Sequence, residues 1–453
     1  MKAIILAAGT GTRMKSKLPK CMHKILGRTM LDIVLDTLKE SGTSDIIVVT
    51  GHGEEQIRAS VSSDVRFAHQ SEQLGTGHAV MTAAEYIGES DDVLVLCGDT
   101  PLITAESVLQ LTNAHMREGN AITVVSTRLD NPYGYGRIVR PSLENRFLRI
   151  VEQKDLTDGQ DFIGEINTGV YFFKGKALLA ALPLIKSQNA ANEYYLTDTL
   201  EIIQSLGLKA GVAPAPDSNE FIGVNNRIQL AQAGDVLKRR INEKLMLNGI
   251  TIIDPETTRI SPDVTIGMDT VIYPGVILEK SHIGENCTIG PNTRIVGSYI
   301  SDCAEIDSSV VLDSSVGAHT QIGPFAYLRP NSNVGPYCKI GDFVEVKNSI
   351  VNDNTKAAHL AYIGDADVGS HVNFSCGAIT SNYDGDKKYR TVIEDDVFIG
   401  CNTNLVAPVT VKKGAYTAAG STITDDVPEK SLGIARARQV NKEGWIKKSP
   451  AQG

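Results

Sequence analysis

The sequence predicts an α/β domain with a mainly parallel sheet, then a connecting helix, then a parallel β-helix built of hexapeptide repeats. Three observations predict it. The first half alternates strand-length apolar runs with helical runs. The stretch around 225–247 keeps helical spacing throughout. Beyond it, Val316, Ile322, Leu328, Val334, Ile340 and Val346 recur at a strict spacing of six. That period is neither the 3.6 of a helix nor the 2 of a strand. Three hexads close one triangular coil, with each repeated aliphatic pointing inward.

The elements follow in order. "KAIILAAG" reads as a strand running into a glycine turn. In "MLDIVLDTLKESG", Leu31, Val34, Leu35 and Leu38 share a helical face, and Gly42 can end it. "DIIVVTGHG" is a buried strand, "GHAVMTAAEYIG" a helix, and "DVLVLCGDTPLI" a strand with polar residues at its C-terminal end. A β-α-β-α-β order implies a mainly parallel sheet with helices on both faces. Ligands bind such sheets beyond the carboxyl ends of the strands, where "GTGT", "GHG" and "CGDT" fall. In the connecting helix, Ile228, Ala231, Val236, Leu237, Ile241 and Leu245 form an apolar stripe, and Asn248–Gly249 ends it. The expected domains are 1–226, a linker at 227–248, and 249–453. Ile-Gly and Val-Gly pairs carry the hexad grammar on both sides of the strict run, from Ile266–Gly267 to Ile399–Gly400. The segment "SNYDGDKKYRT" breaks it and is expected to loop out of the coil; such loops are usually functional.

Composition narrows the function. The net charge of −9 argues against non-specific binding to nucleic acid or an anionic membrane surface. No apolar run approaches the 18 or so residues of a membrane span, and "MKAIILAAG" does not read as a signal peptide. The seven cysteines (Cys21, Cys97, Cys287, Cys303, Cys338, Cys376, Cys401) show no CxxC and no metal-ligand spacing. They fit reduced thiols in the cytoplasm, mostly as small buried residues.

"LAAGTGTRM" follows the first strand. It lacks the third glycine of GxGxxG and is not followed by GK[ST]. Gly9 and Gly11 still let backbone N–H groups approach a phosphate, and Arg13 and Lys20 supply positive charge. A second glycine turn lies at Gly75–Gly77. Asp99, at a strand end, suits a Mg²⁺ that takes one or two carboxylates plus substrate phosphates; taken alone, it serves equally well as a helix cap.

"LAAGTGTRM", "LPK", "EQLGTGHA", "GDTPL", "GYGRI", "VEQKD", "EINTG", "NEYYLTD" and "VNNR" occur in the order found in sugar-nucleotide pyrophosphorylases. With the β-helix included, the chain resembles the bacterial bifunctional N-acetylglucosamine-1-phosphate uridylyltransferase/glucosamine-1-phosphate N-acetyltransferases over about 440 residues. The resemblance implies a Rossmann-like nucleotidyltransferase domain and a left-handed β-helix. It casts Leu6, Ala7, Ala8 and Gly9, with Gln70, Gly75 and Thr76, as uridine and phosphate contacts. Arg13 and Lys20 would meet the UTP phosphates. Asp99 and Asn225 would ligate Mg²⁺, and Gly136, Glu152 and Asn167 would contact the N-acetylhexosamine. A sugar phosphate oxygen attacking the α-phosphorus of UTP needs positioning and charge neutralisation rather than a protein nucleophile.

Acetyl transfer to an amine needs a base and donors for the thioester oxyanion. His359, in "KAAHLAYIG", can be the base; by itself such a histidine is more often a surface residue. Arg329 and Lys347, separated by one coil of three hexads, can stack in successive coils, whereas Lys347 and His359 fall on different faces. That offset suggests a site assembled across a corner or between subunits. The resemblance assigns Arg329, Lys347, Tyr362, Asn373 and Lys388 to the acetyl acceptor. It assigns Cys376, Asn382, Tyr383, Cys401, Ala419 and Arg436 to acetyl-CoA, and Glu345 is expected to orient the histidine. The family usually has serine at the position of Cys401, and smaller residues in the run Ser375–Ala378. A homotrimer is expected, with acetyl-CoA between neighbours. Two other readings stand beside this one: a uridylyltransferase with a purely structural or regulatory β-helix, and a non-catalytic sugar-nucleotide scaffold. The cation set around His359 speaks against the first, and Asp99 with Asn225 against the second.

Overall fold

The computed structural model describes residues 1–61, 64–141 and 148–445. Two compact units emerge, Met1–Leu237 and Lys238–Gly453.

The first unit is built on a nine-stranded sheet. Its central strand Lys2–Leu6 pairs in parallel with Asp45–Thr50 on one side and Asp92–Cys97 on the other. The long strand Glu165–Lys174 runs antiparallel to Asp92–Cys97 and to Ile122–Arg128, so the sheet is mixed on that side. Alternation explains why the central strand is apolar from Ala3 to Leu6. Ile4 and Ala8 enter the core on one face, and Ala3, Ile5 and Ala7 enter the core on the other. The helix Met30–Glu40 starts at Thr29, whose side chain accepts from the Asp32 N–H at 3.1 Å, and it buries Leu31, Val34, Leu35 and Leu38.

Two helix expectations are corrected: the run after Gly77 is shorter, and the connecting helix buries a different set of residues. The run "GHAVMTAAEYIG" is helical only from Thr76 to Thr82 and then tightens to a 3₁₀ turn at Ala84–Tyr86. The Thr82 hydroxyl donates to the Ala79 carbonyl at 2.8 Å, which competes with the helix ladder there. The connecting helix runs Arg227–Leu247, because the Asn226 side chain accepts from the Gln229 N–H at 2.9 Å and caps it. Asn225 therefore stays outside the helix. Ile228 and Ala231 of the expected stripe are exposed, while Ala233, Lys238 and Asn242 are buried. Lys238 is satisfied by the Glu256 carbonyl at 2.6 Å.

The second unit is a left-handed parallel β-helix. Its short strands form three parallel sheets of 11, 10 and 9 strands, hereafter faces one, two and three in the order the chain visits them. All six residues of the hexad run point inward and are at most 2 % exposed. Each coil stacks on the last, so Val311, Leu328, Val346 and Ile363 form one inward ladder on face two. Most coils advance by 16 to 18 residues. The coil holding "SNYDGDKKYRT" is longer: the Ser370 N–H bonds to Asp395, 25 residues on. The extra length loops out between faces two and three, as expected.

Candidate active sites

In the first unit, a cleft of about 430 Å³ opens beyond the carboxyl ends of the parallel strands. Leu6, Ala7, Ala8, Gly9, Arg13, Lys20, Gln70, Gly75, Thr76, Asp99 and Asn225 all line it. The loop that carries Gly11 is held against Lys20: Gly11 has φ +58, and a Cβ there would lie 2.8 Å from Lys20 Cβ. The ammonium of Lys20 pairs with the Asp99 carboxylate and donates to Asn225 Oδ1 at 2.7 Å. Arg13 donates to the same Asn225 oxygen at 2.8 Å. One carboxylate and one amide oxygen thus converge on a single cationic group. Two oxygens so placed suit a hard cation that completes its shell from phosphates and water, so Asp99 and Asn225 fit Mg²⁺.

Gly136, Glu152 and Asn167 form a second cluster. The Asn167 N–H donates to the Gly136 carbonyl at 2.9 Å, and a Cβ on Gly136 would sit 3.2 Å from Glu152 Oε1. Asn167 Nδ2 donates to the Tyr171 hydroxyl at 2.7 Å. None of the three lines the cleft itself. Burial, with the nearby Asp155 and Asp198 carboxylates, pushes Glu152 up to about 7. Burial and the charges of Glu201 and Asp155 likewise push Asp198 up to about 6. The sequence reading missed Gln73, Cys21 and Glu193, which also line the cleft.

On the β-helix, His359 ends its face-one strand, Lys356–His359. Register places Asp342 directly beside it in the preceding coil. Continuing the pairing of Ala357 with Phe374 by two residues puts Cys376 beside His359 in the next coil, and the Gly377 N–H donates to the Leu360 carbonyl at 2.9 Å. Cys401 and then Ala419 continue the line, with the Asn402 N–H on Cys376 O at 2.9 Å and the Gly420 N–H on Cys401 O at 2.8 Å. Arg436 lies next to Gly420, its Cδ 3.9 Å from where a Cβ on that glycine would be. So His359, Cys376, Cys401, Ala419 and Arg436 lie along one edge of the coil. Asn373 is nearby on face one, its amide on Ser375 Oγ at 3.2 Å.

The remaining expected residues lie across face two. Arg329 and Lys347 do stack in successive coils, and the Arg329 N–H donates to the Val346 carbonyl at 2.8 Å. Tyr362 follows in the same sheet, in register with Glu345. Lys347 pairs at 3.7 Å with Asp365, which also accepts from Asn382. Burial works to raise the Asp365 carboxyl. Hydrogen bonds from Asn348 and Asn382 and the charges of Lys347 and Lys388 outweigh it, so the group sits below its usual range. Tyr383 bridges to Lys388. The acetyl-CoA residues therefore split into an edge set with His359 and a pair, Asn382 and Tyr383, on the loop at the far side of face two. One expectation is corrected: Glu345 does not touch His359. It accepts from Arg329 at 2.8 Å, and the histidine's carboxylate partner is Asp342, with Oδ1 2.7 Å from Nδ1.

Known proteins decide the family. The family of MobA-like NTP transferase domains matches residues 3–161, and the bacterial transferase hexapeptide family, of six repeats, matches 313–348. A bifunctional protein GlmU from Clostridioides difficile (strain 630) is 51 % identical over 448 residues, covering 99 % of this chain and 97 % of its own. One from Alkaliphilus oremlandii (strain OhILAs) is 55 % identical over 450 residues, covering 99 % and 98 %. The chain belongs to the bifunctional GlmU family. A third GlmU protein, from Caldanaerobacter subterraneus subsp. tengcongensis, is 51 % identical over 452 residues, covering 100 % of this chain and 98 % of its own. As a GlmU protein the chain is a nucleotidyltransferase and an acetyltransferase in one polypeptide. A β-helix with a structural role only is not favoured. Among the described residues no helix is long and apolar enough to cross a membrane.

Proposed function

We propose that the β-helix acetylates glucosamine 1-phosphate with acetyl-CoA, and that residues 1–226 then transfer uridylate from UTP to the product. Pyrophosphate is released, and the final product, UDP-N-acetylglucosamine, feeds cell-envelope synthesis in the cytoplasm. The observation that carries this reading is the pairing, in one chain, of a cleft of about 430 Å³ lined by Lys20, Arg13, Asp99 and Asn225 with a β-helix that carries His359 at the edge of face one and Arg329 and Lys347 stacked on face two.

In the first site, Lys20 and Arg13 neutralise the UTP phosphates, while Gln70, Gly75 and Thr76 hold the nucleotide. Gly136, Glu152 and Asn167 orient the hexosamine so that its phosphate oxygen lines up with the α-phosphorus. Asp99 and Asn225 would hold Mg²⁺, which would supply charge neutralisation for the leaving pyrophosphate. In the second site, His359 takes the amine proton. Arg329, Lys347, Tyr362, Asn373 and Lys388 hold the acceptor, and Cys376, Cys401, Ala419, Arg436, Asn382 and Tyr383 hold acetyl-CoA. The split of that last set across face two supports a homotrimer in which neighbouring copies complete the site.

The test assays pyrophosphate release and CoA release separately on the full chain. Asp99→Ala is expected to abolish the first and spare the second; His359→Ala is expected to do the reverse. Full pyrophosphate release by Asp99→Ala in Mg²⁺ refutes the metal assignment. Sedimentation at the mass of one chain refutes the trimer.

A further inference from the structure

We propose that Asp342 is the positioning residue of the acetyl-transfer site: it fixes the tautomer and orientation of His359 so that Nε2 faces the acceptor amine. The inference rests on His359 being the base.

The geometry carries it in three ways. First, Asp342 and His359 are register partners in adjacent coils, and the Leu360 N–H donates to the Asp342 carbonyl at 2.9 Å. The backbone therefore holds the pair in line whatever the side chains do. Second, Asp342 Oδ1 lies 2.7 Å from His359 Nδ1. An ionised carboxylate only accepts, so Nδ1 must carry the hydrogen and Nε2 keeps its lone pair. The bond to His359 also holds the Asp342 carboxyl below its usual range. Third, the approach needs Gly341: a Cβ there would lie 2.0 Å from the Ala358 carbonyl oxygen. A side chain at 341 would push the His359 strand away.

The other groups facing His359 do not compete for it. The next coil offers Asn373, Ser375 and Cys376, the first two bonded to each other. Its own strand begins with Lys356, and the strand before it with Lys339, each at the opposite end from His359. Glu345 is held by Arg329.

In the reaction, the amine nitrogen attacks the thioester carbonyl. A C–N bond forms and the C–S bond breaks. The amine proton passes to Nε2 and from there to the departing CoA sulfur. While the proton rests on the imidazole, the Asp342 carboxylate faces the positive ring.

The experiment measures kcat, KM and the pH profile of acetyl transfer in the full chain, with uridylyl transfer in the same preparation as the folding control. Asp342→Asn keeps the shape and an acceptor oxygen but loses the charge. We expect its kcat to fall by about tenfold or more, but by less than the full 10²–10⁴-fold or so that a general base contributes, with KM values nearly unchanged. With the anion gone, the acid limb of the pH profile should move to lower pH. Asp342→Glu should recover part of the rate. If His359→Ala abolishes acetyl transfer but Asp342→Asn leaves kcat and the acid limb unchanged, the positioning role is overturned and the base stands. If the limb moves in Glu345→Gln and not in Asp342→Asn, the wrong carboxylate has been named. Acetyl transfer that survives His359→Ala overturns both.

Discussion

Replacing Glu152 with glutamine should stabilise the first unit, and more so as pH rises. The Glu152 carboxyl titrates at about 7, against an ordinary 4.5, because it is buried beside Asp155 and Asp198. An acid whose folded pKa is raised leaves the folded state holding more protons than the unfolded state. Stability is then lost as pH rises from about 4.5 and is fully lost above about 7. For those two pKa values the penalty is about 1 kcal/mol at pH 5 and about 3 kcal/mol at pH 8. Glutamine fills the same space and carries no charge to desolvate. The expected result is a Glu152→Gln chain whose uridylyltransferase unit withstands more urea than wild type at pH 8, with most of the advantage gone at pH 5. Urea titrations at the two pH values, read by loss of helical circular dichroism, measure it. An advantage equal at both pH values, or larger at pH 5, would refute the assignment of the raised pKa to Glu152.

Arg390 ties the excursion loop to the coil through Asp367 and the carbonyls of Ala366 and Asn348, at 3.0 and 3.2 Å. Its pairing is exposed and worth about 1 kcal/mol or less to stability. Arg390→Ala should therefore barely move the melting temperature, yet it should raise the acetyl-transfer KM values about three- to tenfold as Lys388 and Tyr383 lose their anchor. Unchanged KM values would count against the loop's role. Leu328→Ala removes a fully buried rung between Val311 and Val346 and should cost about 3–5 kcal/mol. Heat should then inactivate acetyl transfer earlier and leave uridylyl transfer in place. Burial raises the thiols of Cys21 and Cys97 to about 12 and that of Cys338 to about 11, while Cys376 and Cys401 are exposed. Iodoacetamide should accordingly label Cys376 and Cys401 first and block acetyl transfer, and acetyl-CoA should protect. Labelling of both with full activity retained would remove them from the cofactor site.

The inward ladder was readable because burial forces one aliphatic per hexad, and the strict run at Val316–Val346 lacks interruptions. The cleft was readable because glycines, cations and a strand-end aspartate must sit close in sequence to a parallel sheet's edge. The partner of His359 was not. Counting three full hexads per coil aligns Arg329 with Lys347, but the coil carrying Asp342 to His359 is 17 residues long. Three full hexads back from His359 falls on Gly341, one residue before Asp342, and the expectation of Glu345 came from no such count. The two exposed thiols were legible only through the resemblance, which placed Cys376 and Cys401 at the acetyl-CoA site, since free cysteine is by itself most commonly buried.

The edge that carries Asp342, His359, Cys376, Cys401 and Ala419 is also a ruler. Adjacent parallel strands lie about 4.8 Å apart, so the three steps from His359 to Ala419 measure roughly 14 Å along the axis. A slender extended ligand laid on that edge meets one new side chain per step. Its reactive end reaches the imidazole only when its arm has the matching length. Lengthening or shortening any of those coils by a residue rotates one mark off the scale, whereas adding a whole coil before Asp342 leaves every mark in place.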